Sequence, residues 1–509
     1  MRFLALALLL ALSASASAKP NIVVILADDL GVGDVRCLNP QGKIATPHLD
    51  RLAAAGMTFT DAHSPSAVCS PTRYGLMTGR YAWRSKLQSG VLGGLSPRLI
   101  EPDRETIASL LKKAGYHTGC VGKWHLGMDW KLKPGKAGTD LHIEPRARVC
   151  NVEYMKPIRN GPNAVGFDEY FGISASLDMV PYAFIRNDQL TAEPSEDRTL
   201  KMRPDKAATT RLGPAAPGFT AEGVLPRCTE EAVAFLERRA KEPAKPFFLY
   251  VPLTSPHTPI APTKEFDGKS GIGPYGDFVV QTDAAVGTLM DALAKLQLAD
   301  NTLVIFTSDN GCSPQADFPD LAKKGHNPNH VYRGNKADIF EGGHRVPFLA
   351  RWPGTVKPGT TSERLVCLTD VLQTAAAIAQ VPVPDAAGED SVSFLPTLKG
   401  ETQSPRSAVV HHSINGSFAI REGNWKLCLC ADSGGWSAPR PGAKGVADLP
   451  KDQLFNLKSD IGETKNLHAE EPMIVKRLTE ALERIVADGR STPGPKGANA
   501  VPVVLRKRK

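Results

Sequence analysis

The feature that most constrains the fold is a repeated alternation of buried strands and amphipathic helices along the 509-residue chain. Residues 21–27 form an unbroken apolar, β-branched run, which predicts a strand covered on both faces in a parallel sheet. Further strands are predicted at 116–121, 247–253 and 302–307, with helical periodicity between them. The alternation predicts a doubly wound α/β sheet with helices on both faces.

The helices of this alternation are predicted over residues 49–55, 105–114, 229–241 and 278–298. Residues 126–227 show little periodicity and contain many proline, glycine and charged residues. We interpret them as long excursions over one edge of the sheet, because loops of that length in a compact domain are usually functional.

Polar side chains follow four of the predicted strands, and ligands of open α/β sheets bind beyond the carboxyl ends of strands. A single group of this kind is explained by a turn or a helix cap, whereas four groups predict a shared pocket. The oxygens among them suit Ca²⁺ or Mg²⁺ rather than zinc. The four groups are Asp28 with Asp29, Lys123 with His125, His257, and Asp309 with Asn310.

A thiol stands at the mouth of a short helix predicted within residues 69–80, Cys-Ser-Pro-Thr-Arg-Tyr-Gly-Leu-Met-Thr-Gly-Arg. Pro71 fits the first helical turn, Ser70 or Cys69 serves as the cap, and Gly79 ends the helix. A helix N-terminus with Arg73 one turn in suits an anion such as sulfate or phosphate. The stretch therefore indicates a nucleophile beside an oxyanion site, although a small buried cysteine before an ordinary helix is the plainer alternative.

Cys69, Pro71 and Arg73, followed by Thr78-Gly79-Arg80, resemble the signature of the type I sulfatases, of the arylsulfatase type, in the alkaline phosphatase superfamily. In that family the cysteine is oxidised after translation to formylglycine, whose hydrated aldehyde is the nucleophile. The resemblance runs in order from Asp28-Asp29 to Asn466-Leu467. It implies an alkaline-phosphatase-like α/β domain with a smaller C-terminal α+β domain.

The resemblance also implies roles for individual residues. Arg73 and Lys123 would hold the aldehyde hydrate and the metal-side oxyanion, and His125 would bond the second hydroxyl and take its proton. His257 and Lys336 would bind the bridging side of the sulfate, and one of them would protonate the leaving alcohol. The implied cofactor is Ca²⁺, with Mg²⁺ second, and its ligands would be Asp28, Asp29, Asp309 and Asn310.

We expect three segments: a signal peptide over 1–18, a catalytic domain over 19–385 and a C-terminal α+β subdomain over 386–509. In the last, short strands of an antiparallel sheet are predicted at 408–412, 417–421, 425–429 and 453–457, and a helix at 471–488. His411 and His412 lie on the first of these strands. They are candidate substrate contacts, with a packed or exposed histidine as the alternative.

The N-terminus has the form of a secretory signal: Arg2, an apolar run over 3–12 and Ala16-Ser17-Ala18. Because no later apolar run approaches the length of a membrane helix, we expect an exported protein, periplasmic or extracellular, with no membrane span. The formal charge of +8 is read as a solvated basic surface, and no nucleic-acid partner is expected. If Cys69 of the nine cysteines is converted, the remaining eight could pair as disulfides or remain as buried thiols.

The predicted function is hydrolysis of a sulfate ester, aryl or carbohydrate, to alcohol and inorganic sulfate, after maturation of Cys69 by a formylglycine-generating enzyme. The substrate is a small ester or a sulfated polysaccharide. Two alternatives stay open: a phosphodiester or phosphonate monoester hydrolase of the same fold, and a non-catalytic protein that binds sulfated glycans.

Overall fold

A computed structural model describes residues 19–134, 151–401 and 406–506. The predicted signal peptide and Cys150 lie outside these ranges. Within them, no helix combines the length and the apolar character needed to cross a bilayer.

The strands, in chain order, are β1 Asn21–Asp28, β2 Met57–Phe59, β3 Ala62–His63, β4 His117–Lys123, β5 Glu169–Ile173, β6 Ile185–Arg186, β7 Gln189–Leu190, β8 Glu196–Arg198, β9 Gly213–Ala215, β10 Phe247–Pro256, β11 Thr302–Ser308, β12 Phe348–Arg351, β13 Thr360–Ser362, β14 Val366–Cys367, β15 Ala408–His412, β16 Phe418–Glu422, β17 Trp425–Cys428 and β18 Gln453–Asn456.

The α-helices are α1 Pro47–Ala54, α2 Cys69–Thr78, α3 Ile107–Lys113, α4 Ala221–Ala240, α5 Pro274–Lys295, α6 Phe318–Lys323, α7 Glu341–His344, α8 Asp370–Ala379, α9 Leu395–Leu398 and α10 Pro472–Ala487. Six of these helices form two packed groups in the large domain. One group contains α1, α4 and α5, and the other contains α2, α3 and α8. These groups cover the main sheet, as the strand–helix alternation predicts.

The main sheet has ten strands in the described residues, ordered β13-β2-β12-β11-β1-β10-β4-β5-β6-β7. Its centre is parallel: β11, β1, β10, β4 and β5 run in one direction. All eight residues of β1 are buried, because the strand is central and covered on both faces. The mixed α/β fold and the four central strands predicted from sequence are confirmed.

Two details of the predicted large domain are wrong. Residues 126–227 are not only excursions, because Glu169–Ile173 pairs in parallel with β4 and adds a further strand to the sheet. The helix predicted to begin at Thr229 begins at Ala221, where Thr220 Oγ1 accepts a hydrogen bond from the Gly223 N–H at 3.2 Å. Pro226 lies inside this helix, and because proline usually interrupts a helix, the sequence pattern does not indicate the turns before it.

The C-terminal part carries the predicted antiparallel sheet, in the order β15-β16-β17-β18. Helix α10 packs on β16 and β17 through an apolar face that includes Leu478 and Leu482, both fully buried. The four strands and the helix predicted here are confirmed to within one or two residues at each end.

The cysteines of the described residues are free thiols, including Cys69. The disulfide option is therefore wrong for those cysteines. Most of them are buried in the core, where a thiol packs as a small apolar side chain.

Candidate active site

The carboxyl end of β1 places two buried aspartates at the edge of the sheet. The register between β1 and β10 shifts between Leu26 and Asp28, and Asp29 has a positive φ of 65°. Asp28 Oδ2 accepts a hydrogen bond from Lys123 Nζ at 2.6 Å, and Asp29 Oδ1 lies 2.7 Å from Lys336 Nζ. Each carboxylate is thus paired with its own lysine.

The end of β11, the neighbouring strand, adds Asp309 and Asn310. Asp309 Oδ1 accepts from the backbone N–H of Asp29 at 3.2 Å, and Asn310 Nδ2 donates to Asp29 Oδ1 at 2.7 Å. Asn310 Oδ1 is buried and has no hydrogen-bond partner among the described residues. Three carboxylates and one unpaired amide oxygen therefore meet at this edge.

Cys69 is the first residue of α2, and its Sγ lies 3.6 Å from Asp28 Oδ1. The N-cap is Val68, in extended conformation and without a side-chain cap. The prediction that Ser70 or Cys69 caps the helix is wrong, because both lie inside it and Ser70 Oγ accepts instead from the Leu92 N–H at 3.1 Å. Burial raises the pKa of the Cys69 thiol to about 12, so the thiol is protonated at neutral pH.

Arg73, one turn into α2, ties the helix to two strand ends. Its Nε and Nη2 donate to Asp309 Oδ2 at 3.1 and 2.8 Å, and its Nη1 donates to the backbone oxygen of Lys123 at 2.8 Å. Burial alone would lower the pKa of Arg73, but Asp309 and Asp28 raise it above its usual range. Arg73 is therefore a permanent, fixed cation.

The carboxylates of Asp28 and Asp309 both lie close to the same two cations, Arg73 and Lys123. Burial and the charge of Asp28 raise the pKa of Asp309 to about 6. Burial opposes ionisation of Asp28 too, but Lys123 and His257 outweigh it and hold the pKa of Asp28 below its usual range. A bound divalent cation would relieve the repulsion between these carboxylates.

His125 and His257 each have one ring nitrogen fixed by a backbone carbonyl. His125 Nε2 lies 2.8 Å from Leu92 O, and its buried Nδ1 has no partner among the described residues. Burial lowers the pKa of His125 well below its usual value, so the ring is neutral and Nδ1 is an open acceptor. His257 Nδ1 lies 2.5 Å from Thr258 O, which leaves Nε2, 3.7 Å from Asp29 Oδ2, for the pocket.

Lys336 is buried, which is rare for a lysine. Burial would lower its pKa, but Asp29 raises it above the usual range, so the side chain is charged. The next residue, Ala337, donates its N–H to Ala67 O at 2.8 Å. The loop that carries Lys336 is thereby bonded to the segment that leads into Cys69.

His411 and His412 lie on β15 and are both buried. The His411 ring stacks on His344 with centroids 3.6 Å apart and lies 5.0 Å from the His63 ring. The backbone oxygen of His412 accepts from the Ala67 N–H at 3.0 Å. The strand that carries both histidines therefore supports the chain segment that leads into α2. Contact of either side chain with substrate stays a prediction.

The described residues fit a hard divalent cation at this edge. One potential ligand atom from each of Asp28, Asp29, Cys69 and His257 lies within 4.8 Å of the others. The carboxylates and the unpaired Asn310 Oδ1 are the oxygen donors that Ca²⁺ prefers. Contacts shorter than 4 Å join the predicted residues Asp28, Asp29, Cys69, Arg73, Lys123, His257, Asp309, Asn310 and Lys336.

Sequence reasoning missed the loop that follows β5 at the same edge. Ser176 Oγ and Asp178 Oδ1 in this loop are buried and have no partner among the described residues. The short apolar run Tyr170–Ile173 was the available signal for a strand here, but the surrounding irregular sequence obscured it.

A buried cysteine at a helix N-terminus, three carboxylates and a set of fixed cations meet at the carboxyl edge of an α/β sheet, an arrangement that suits hydrolysis of the ester of a tetrahedral oxyanion. The family model described as Sulfatase matches residues 20–381, well over half of the chain, and the model for the C-terminal part of N-sulphoglucosamine sulphohydrolase matches 332–433. The chain belongs to the sulfatase family, and it is a sulfuric ester hydrolase of the type I, arylsulfatase class.

Relatives support the same class over nearly the whole chain. An N-acetylgalactosamine-6-O-sulfatase of Bacteroides thetaiotaomicron is 36% identical over 92% of this chain and 93% of its own length. Arylsulfatase A of Homo sapiens is 33% identical over 92% of this chain and 87% of its own length.

Solved structures agree with the fold. One from work on the metabolism of multiple glycosaminoglycans by Bacteroides thetaiotaomicron is 33% identical, with a TM-score of 0.77 over 92% of this chain and 99% of that one. A structure of Ps i-CgsB, 25% identical, has a TM-score of 0.69 over 93% of this chain and 94% of that one.

Proposed function

We propose that the enzyme hydrolyses carbohydrate sulfate esters, using formylglycine formed from Cys69 and a bound Ca²⁺. The observation that carries the proposal is the position of Cys69 Sγ, 3.6 Å from Asp28 Oδ1 in a site lined by Arg73, Lys123 and Lys336. A nucleophile at this point faces both an oxygen-rich cation site and the cations that neutralise a sulfate group.

The unmodified thiol is a poor candidate for this nucleophile. Burial raises its pKa to about 12, so the thiol is protonated at neutral pH and is a weak nucleophile. Oxidation to the aldehyde would supply a hydrate hydroxyl as the nucleophile instead, and the bound cation would help to ionise it. The proposal therefore requires a formylglycine-generating enzyme as a maturation partner, and it includes export through the predicted signal peptide over 1–18.

The metal ligands would be Asp28, Asp29, Asp309 and Asn310. Ca²⁺ suits them better than Mg²⁺, because it accepts many oxygen ligands in irregular geometry. When bound, the ion would polarise a sulfate oxygen and assist ionisation of the nucleophile.

The remaining catalytic roles, charge neutralisation and proton transfer, would be carried out by side chains of the protein. Arg73 and Lys123 would neutralise oxygens on the metal side, and neutral His125 would accept a proton at its open Nδ1. His257 Nε2 and Lys336 Nζ, both against Asp29, would face the bridging oxygen, where one of them donates the proton to the leaving alcohol.

The first substrate class to test is a sugar with a 6-O-sulfate, such as 6-O-sulfated N-acetylgalactosamine. The Bacteroides thetaiotaomicron relative and a Homo sapiens relative 32% identical over 74% of this chain are both named for that sugar position. An aryl sulfate would serve as a general reporter of the chemistry.

The test starts with the mass of the tryptic peptide Leu52–Arg73 from the native source, and with sulfate release by the same preparation. We expect the peptide to have lost sulfur and gained an aldehyde oxygen, and Cys69→Ala to abolish turnover. An unmodified thiol in active enzyme would exclude formylglycine chemistry. Faster turnover of an aryl phosphodiester than of an aryl sulfate would favour the phosphodiesterase alternative.

A further inference from the structure

The loop that follows β5 is held directly beside the catalytic edge. Ile173 at the end of β5 is in register with Lys123 at the end of β4. The backbone N–H of His125 then donates to Ser174 O at 2.9 Å. The chain therefore leaves β5 in contact with a residue of the proposed catalytic set.

This loop is also fixed on its other side. A side chain at Gly94 has no room, because a Cβ there would lie 1.8 Å from Val180 O. Gly94 stands two residues after Leu92, whose carbonyl oxygen lies 2.8 Å from His125 Nε2. The loop from Ser174 to Val180 is thus packed against the backbone that orients His125.

Asp178 in this loop carries a carboxylate oxygen that the described residues do not satisfy. Its Oδ1 is buried and has no hydrogen-bond partner among those residues, although the side chain as a whole is only partly buried. The Arg211 guanidinium donates at 3.4 Å to the backbone oxygen of Asp178, not to its carboxylate. Because a buried carboxylate oxygen without a partner is costly, an acceptor retained in this place points to a donor supplied by a ligand.

The charge of Asp178 decides which part of a substrate it meets. A carboxylate repels a sulfate group, and the sulfate is already matched by Arg73, Lys123 and Lys336. A carboxylate binds hydroxyl and amide N–H donors well, and charge-assisted hydrogen bonds of this kind are the strong ones. The alcohol part of a carbohydrate sulfate has such donors, and a simple aryl sulfate does not.

We infer that Asp178 is a specificity-determining residue that accepts a hydrogen bond from a hydroxyl or N-acetyl N–H of the sugar bearing the sulfate. This inference rests on the proposed carbohydrate sulfatase function. Asp178 would thus recognise the alcohol part of the substrate, which becomes the leaving group. It follows β5, a strand that is not among the four predicted from the sequence.

The experiment compares kcat/KM for 6-O-sulfated N-acetylgalactosamine and for 4-nitrophenyl sulfate in wild type, Asp178→Asn and Asp178→Ala. For the sugar sulfate we expect roughly a ten- to hundredfold loss in Asp178→Ala, as for a hydrogen bond to a charged group, and a smaller loss in Asp178→Asn, whose amide oxygen still accepts a hydrogen bond. For the aryl sulfate we expect a change within about twofold. The matched control is Asp188→Asn, at the exposed turn between β6 and β7, which should leave both substrates unchanged.

A second measurement separates recognition from folding. Wild type should lose activity on one particular deoxy analogue, which lacks either a hydroxyl or the acetamido group, whereas Asp178→Ala should treat that analogue and the parent sugar alike. Equal losses on aryl and sugar sulfates, or unchanged discrimination among the analogues in Asp178→Ala, would overturn the assignment while leaving the sulfatase function standing. Wild type active on the aryl ester but on no sugar sulfate would overturn both the carbohydrate proposal and the role of Asp178.

Discussion

Arg73 and Asp309 form a fully buried ion pair in which one carboxylate oxygen, Oδ2, accepts from both Nε and Nη2 of the guanidinium, at 3.1 and 2.8 Å. The pair joins the helix that begins with Cys69 to the strand end that carries two of the proposed metal ligands. Through this pair, the position of Cys69 and the position of the proposed cation site depend on each other.

We predict that Arg73→Ala lowers kcat/KM for an aryl sulfate by at least about a hundredfold, the usual cost of losing one donor to a developing oxyanion. It should also reduce the free energy of unfolding by about 3–5 kcal/mol, because Asp309 is left buried and unpaired. Denaturant titration and steady-state kinetics measure the two effects. Arg51→Ala is the control: its pair with Asp291 has a similar distance, 2.7 Å, but is solvent-exposed, so its loss should cost about 0–1 kcal/mol with no change in kcat.

The cation site gives a second prediction. Asn310→Ala removes the unpaired amide oxygen, which is one of the proposed oxygen ligands. Because one ligand is lost, the Ca²⁺ concentration for half-maximal activity in chelator-buffered solution should rise by about tenfold or more. Calorimetric titration of chelator-treated protein should show the same weakening without reference to activity. Asn301→Ala, at an exposed position before β11, should bind Ca²⁺ as wild type does. Equal Ca²⁺ affinities in both variants would contradict the ligand set.

His257 supplies a prediction about the leaving group. If Nε2 donates the proton to the departing alcohol, His257→Ala should slow poor leaving groups by roughly 10²–10⁴-fold and activated aryl esters much less. A series of sulfate esters with graded leaving-group pKa gives the dependence, which should steepen in the variant. His48→Ala, on α1, should keep the wild-type dependence. A uniform loss across the series would argue for a binding role alone.

The buried histidines His63, His344 and His411 predict a loss of stability in acid. Burial lowers the pKa of all three, below the usual unfolded value of about 6.5. The unfolded chain therefore binds more protons, so their stabilisation is fully present above about pH 6.5 and is lost as the pH falls toward their folded pKa values. Charged groups of both signs lie against the cluster or pair with the groups that do: Asp61, Glu341, Glu463, Arg345, Arg421 and Lys426.

His411→Phe keeps a ring stacked on His344 but removes one titrating group. Between about pH 5 and 6.5, the slope of unfolding free energy against pH should fall by up to about 1.4 kcal/mol per pH unit. This is the change expected when one proton fewer is taken up on unfolding. Denaturant midpoints at half-unit pH steps measure it. His468→Phe, at a partly exposed position, should leave the slope unchanged, and a parallel change in both variants would refute the burial explanation.

Local sequence signals were enough for much of the site. Asp28-Asp29, His257 and Asp309-Asn310 follow long, uninterrupted strands whose direction is set by the helices between them, so their meeting at one edge follows from parallel pairing. Gly79 ends α2 with a φ of 62°, as the sequence predicts. Lys336 was different: it lies in an irregular loop, and only the family resemblance indicated it.

The sequence by itself determined the four central strands, the C-terminal antiparallel strands and the polar residues at the central strand ends, because hydrophobic period and glycine or proline boundaries are local properties. Tertiary structure alone decided the place of β5, the unpaired Oδ1 of Asp178 and the stacking of His411 on His344. These depend on pairing between segments far apart in the chain. Long-range pairing is set by the packing of the whole domain, which no local pattern encodes.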